Sequence, residues 1–90
     1  MKSSEKTVSV HVPGDAYWIG TNIHRLRMRH KLTRETLAQA AGIQARSLKQ
    51  IEDAAEASNP TLKTLGAIAR ALGVETVALF KRHPEEDFKV

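Results

Sequence analysis

Between Arg34 and Asp53 the apolar residues fall into two short runs at helical spacing, separated by a glycine. Leu37, Ala41, Ile43, Leu48 and Ile51 can all face one interior if each run is a helix. Ala38 is small where two crossing helices must come close. Gly42 stands where the first helix must stop and the backbone turn through a left-handed conformation, which favours a residue without a side chain. The pattern predicts a helix over 34–41 capped by Thr33, then a tight turn. A second helix follows over 45–53 with Gln44 in the cap position, and Gln is a weaker cap than Ser or Thr.

The flanking segments extend the helical pattern. Ile19, Ile23 and Leu26 recur at i, i+4 and i+7 and predict a helix from about Ala16 to His30, with Asp15 as its cap. The basic C-terminal half of that helix suits the negative end of its dipole. After the loop AAEASNP, Pro60-Thr61 is expected to open a helix whose buried face is Leu62, Leu65, Ile68, Ala69 and Leu72, ended by Gly73. Val74 to about Arg82 reads as a short fifth helix with Val77 and Phe80 inward, stopped by Pro84. Near the start, Val8, Val10 and Val12 alternate with Ser9 and His11, which predicts either a short strand or a mobile arm. Tyr17 and Trp18 are expected at the edge of the core. The expected organisation is an N-terminal arm (1–14), a compact all-α five-helix domain (15–82) and a C-terminal tail (83–90).

Composition narrows the chemistry. Ninety residues at 41% hydrophobic content support one small core, and with 4% aromatics it must rest on Leu, Ile, Val and Ala. The absence of cysteine excludes disulfides and thiolate metal sites. No apolar run approaches the ~18 residues of a membrane helix, and MKSSEKTVS lacks a signal-peptide core, so the expected location is the cytoplasm. The formal charge is +4. Arg25, Arg27, Arg29, Lys31 and Arg34 lie in one stretch without an acid, while Glu85, Glu86 and Asp87 adjoin in the tail. That distribution suits a polyanionic partner. The histidines His11, His24, His30 and His83 have no ligand spacing, and no phosphate loop or nucleophile elbow is present. No catalysis, metal or cofactor is expected.

Ile19 to Phe80 resembles the five-helix helix-turn-helix family of phage repressor and Cro type, the XRE-like regulators. The resemblance rests on IGTNIHRLRMRHKLTRETLAQAAGI, SLKQIED, NPTLKTLGAIARALGV and VALF, and covers about two thirds of the chain. It implies a sequence-specific, repressor-type transcriptional regulator that binds double-stranded DNA as a homodimer, with the helix over 45–53 in the major groove. It assigns base contact to Ala45, Arg46, Lys49 and Gln50. It implies phosphate contact at Arg34 and Thr33, and Gln44, Ser47 and Asn59 are expected as further phosphate contacts. Arg27 matches an arginine that pairs in the interior with a late recognition-helix glutamate, here Glu52.

The residue chemistry agrees with those roles. Arg46 can donate twice to guanine, Gln50 can pair with adenine, and the Ala45 methyl can meet thymine. Two departures stand out. The loop after the helix over 45–53 is usually basic in the family, and here it is longer and carries Glu56. Gln44 and Glu75 stand where capping Ser or Thr is common. The same fold also serves protein-interaction modules, so an antitoxin or a partner of the transcription machinery is the alternative expectation.

Overall fold

The computed structural model describes residues 14–55 and 58–83. In order, it contains α1 (Asp15–Arg29), α2 (Arg34–Ala41), α3 (Ala45–Glu52), α4 (Leu62–Leu72) and a closing 3-10 helix (Thr76–Phe80). The all-α class holds, and no strand occurs among the described residues. The valine-rich arm, Glu56 and the tail from Pro84 lie outside them.

Local chemistry sets most helix ends. The Thr33 hydroxyl accepts the Thr36 amide at 3.0 Å, so α2 begins at Arg34 as the sequence predicts. Gly42 closes α2 at φ 76° and lets the Ile43 amide reach the Ala38 carbonyl at 3.0 Å. α3 starts at Ala45 without a side-chain cap from Gln44, and it ends at Glu52, one residue earlier than predicted, because Asp53 is the C-cap. Gly73 ends α4 at φ 75°.

Several expectations are corrected. Asp15 is not the cap of α1. Gly14 is, its carbonyl accepting from Tyr17 and Trp18, and Asp15 lies inside the first turn, where its charge faces the positive helix end. Pro60 and Thr61 precede α4, since the Thr61 hydroxyl caps it by accepting the Thr64 amide at 3.1 Å. Leu62 is 71% exposed. It sits at the first helical position, on the rim of a cavity of about 350 Å³ that Ile19, Leu65 and Phe80 also line. The predicted fifth α-helix is a 3-10 helix. Its tighter winding turns Leu79 fully inward and leaves Val77 67% exposed and Phe80 half-buried.

Each of the five elements contributes one large, fully buried side chain to the centre: Ile23, Leu37, Leu48, Ile68 and Leu79. α2 packs on α3 and α4, while α1 packs on α3 and the 3-10 helix. Two features of α1 set these contacts. A Cβ on Gly20 would lie 2.5 Å from the Ile51 carbonyl oxygen, so only glycine lets α1 cross the end of α3 this closely. Buried Asn22 donates from Nδ2 to the carbonyls of Leu79 at 2.8 Å and Lys81 at 2.7 Å, tying the 3-10 helix to α1.

Candidate nucleic-acid interface

α3 is anchored by Leu48 and Ile51 and turns Arg46, Lys49 and Gln50 to the outside. These three lie at i, i+3 and i+4 and therefore share one face. Arg46 and Gln50 have no side-chain partner among the described residues. Lys49 is engaged, its Nζ 2.8 Å from the Asp53 carboxylate in an exposed pair. Such surface pairs hold weakly, so Lys49 can exchange this partner for another anion. Ala45 is half-buried and packs against the core, which leaves only part of its methyl outward.

The residues read as phosphate-facing are distributed around this helix. Gln44 is exposed at its start, and half-buried Ser47 lies on the flank of the Arg46–Gln50 face. Ser47, Gln50 and Asn59 line a groove of about 240 Å³ with Thr61 and Thr64, between α3 and the start of α4. The Thr33 hydroxyl is occupied as the cap of α2 and also donates to Thr36 Oγ1 at 2.9 Å. Arg34 is one-third exposed at the N-terminus of α2. Beside it, Lys31 and Thr33 line a wide depression at the α1–α2 junction.

Behind this surface lies an ion cluster. The Glu52 side chain is 2% exposed and the Arg27 side chain 8%. Arg27 donates from Nε to Glu52 Oε2 at 2.7 Å, from Nη2 to Oε1 at 3.0 Å, and from Nη1 to the Leu32 carbonyl at 2.9 Å. Arg34 Nε donates to the same Oε1 at 3.1 Å. His24 Nδ1 stands 3.4 Å from that oxygen. Burial pushes the Glu52 carboxyl up, but the bonds from Arg27, His24 and Arg34 outweigh it and hold it below its ordinary value. The hydrogen bond to Glu52 raises the Arg27 pKa in turn. Asp53, beside Lys49, is also held low.

The cationic run of the sequence is thus divided by the fold. Arg27 is spent inside, whereas Arg29 and Lys31 remain exposed. Sequence reasoning missed the roles of Asn22 and His24. Asn22 is a polar residue in phase with Ile19, Ile23 and Leu26, and that placement was the available signal. His24 precedes Arg27 by one helical turn, which is enough to bring both to one carboxylate. Among the described residues no group of His, Asp or Glu could hold a metal ion, and no helix is long and apolar enough to cross a membrane.

The helix-turn-helix family model HTH_3 matches residues 23–79. Among solved structures, the chain is similar to the restriction-modification controller protein C.AhdI from Aeromonas hydrophila. The two are 29% identical with a TM-score of 0.68, over 73% of this chain and 97% of the other. An HTH_3 family transcriptional regulator from Vibrio cholerae is 30% identical with a TM-score of 0.68, over 80% of this chain and 39% of that one. The hypothetical transcription factor NHTF from Neisseria shares the fold at 23% identity and a TM-score of 0.71, over 89% and 92% of the two chains. No curated protein matches the sequence.

Proposed function

The chain belongs to the helix-turn-helix family of DNA-binding transcriptional regulators, and we propose that it is a sequence-specific, repressor-type reader that places α3 in the major groove of duplex DNA. The observation that carries this reading is the outward face of α3. Arg46 and Gln50 stand there with no side-chain partner among the described residues, on a helix fixed by Leu48 and Ile51. A rigid helix with a guanidinium near its start and an amide one turn later on the same exposed face suits base-edge recognition. Lys49 joins them by leaving Asp53. Ala45 contributes the exposed part of its methyl. Arg34, Gln44, Ser47, Asn59 and the α2 start at Thr33 face the flanking phosphates. The likeness to a restriction-modification controller protein supports a regulatory role on DNA.

A single small domain with about four base-reading side chains has limited affinity. We therefore assign the working unit to a homodimer on two half-sites about one helical turn, ~34 Å, apart or a multiple of it. The test is selection of bound sites from a random duplex pool with the wild-type chain and with Arg46→Ala. The wild type is expected to yield a palindromic site. The variant should lose preference at one base position per half-site, about 1–3 kcal/mol of discrimination, and keep the rest. Identical selected sites from both proteins would remove Arg46 from the reading face.

A further inference from the structure

We propose that Glu52 is a positioning residue for DNA binding: it holds the guanidinium of Arg34 by its Nε edge and leaves the Nη edge free for a backbone phosphate. The inference rests on the DNA-reading assignment above. It assigns a second task to a carboxylate that otherwise serves to tie the first three helices together.

The geometry divides the labour of the two arginines. Arg27 takes both oxygens of Glu52 and is buried with it. That pair is neutral by itself, so the charge of Arg34 is not cancelled and the cluster keeps one excess cation. Arg34 shares only Oε1, through Nε alone. Its two Nη groups have no partner among the described residues, and the side chain reaches the surface at the first residue of α2. A guanidinium is planar and presents its donors as a rigid fork. Fixing Nε therefore fixes the direction of the Nη pair as well. A buried, doubly held carboxylate is a stiff support for that purpose, and holding the fork in place before binding reduces the ordering cost when a phosphate arrives. Lysine could not replace Arg34 here, since one ammonium cannot serve a buried carboxylate at its side and a phosphate ahead of it in the same way.

Phosphate contacts are independent of sequence, so the probe is a mixed-sequence duplex of about three helical turns (~30 base pairs), titrated by fluorescence anisotropy over a range of salt. Arg34→Ala is expected to weaken binding about tenfold and to lower the slope of log K against log salt by about 0.9. Glu52→Gln, with its helicity verified at the assay temperature, should reproduce most of that loss in the wild-type background and add nothing in the Arg34→Ala background. Charge alone predicts the opposite, because removing a carboxylate near a polyanion tightens binding. Arg34→Lys, which leaves the buried pair intact, should bind closer to Arg34→Ala than to wild type. Tighter binding by Glu52→Gln, equal losses in both backgrounds, or wild-type binding by Arg34→Lys would each overturn the proposal. If Arg34→Ala itself binds as wild type, the phosphate role of Arg34 fails first. If the wild-type chain binds no duplex at all, the DNA reading itself fails.

Discussion

At the scale of single residues, Gly20 is the most tightly enclosed of the glycines described within the helices and at their C-terminal ends. It lies in the middle of α1, where alanine ordinarily favours the helix by about 1 kcal/mol. Here the sign reverses, because the added methyl would meet the carbonyl oxygens of Ile51 at 2.5 Å and Glu52 at 2.7 Å. Both are backbone atoms and cannot swing aside. Gly20→Ala should therefore destabilise the fold by roughly 1–3 kcal/mol, the cost of overpacking, measured as a lower urea midpoint with an unchanged slope. A higher midpoint would mean that α1 and α3 separate at little cost. Gly42 and Gly73 differ in kind, since a Cβ there would meet nothing and only their positive φ demands glycine. Lys31 shows that the demand is not absolute, as it follows the C-cap His30 of α1 at φ 57° with a full side chain. The sequence signalled the turns at Gly42 and Gly73 but not the one at Lys31.

At the scale of elements, Glu52 joins the first three helices through Arg27 of α1, Arg34 of α2 and its own place at the end of α3. Its carboxyl lies below the ordinary value in the folded chain, burial being outweighed by the hydrogen bonds it accepts. The folded state consequently holds this proton less tightly than the unfolded state. The stabilisation is complete above the unfolded carboxyl value of about 4.3 and is lost as pH falls through the lower folded value. Urea midpoints should stay flat from neutral pH to about pH 5 and then drop. In Glu52→Gln the acid-side drop should be shallower, from a lower starting stability. The same fall in both proteins would place the acid sensitivity elsewhere. The elements also show why some boundaries were legible. Thr33 and Thr61 act on amides three residues away, and Gly42 acts on a carbonyl within the same turn. The 3-10 helix was not legible as such. Its end is held by Asn22, 57 residues before Leu79, and no local pattern reports that bond.

At the scale of the whole molecule, the exposed apolar side chains gain meaning together with the DNA reading. Val77 is 67% exposed on the 3-10 helix, which makes that segment a candidate for the dimer contact that the homodimer proposal requires. If that segment meets its copy, Val77→Lys should lower the dimer fraction in sedimentation velocity at micromolar concentration and leave thermal unfolding of the monomer nearly unchanged. An unaltered sedimentation profile would move the dimer contact away from the 3-10 helix. Binding to a palindromic duplex should weaken in step with the loss of dimer, because two half-sites then no longer act as one.

The sequence by itself determined the class of the fold, the turn between α2 and α3, and the helical face of Arg46, Lys49 and Gln50. These follow from periodicity, a capping threonine and a left-handed glycine, all of which operate within about one or two turns of helix. The tertiary structure decided which cations remain available to a partner. By residue type and periodicity Arg27 and Arg34 look alike in the run from Arg25 to Arg34, and only the family resemblance singled out Arg27 for Glu52. In the fold one is buried on both oxygens of Glu52 and the other touches a single oxygen and reaches the surface. Glu52 follows them by 25 and 18 residues. Only the packing of α1, α2 and α3 fixes which guanidinium it buries, because the cost of isolating a charge from water is set by the surroundings and not by the residue type.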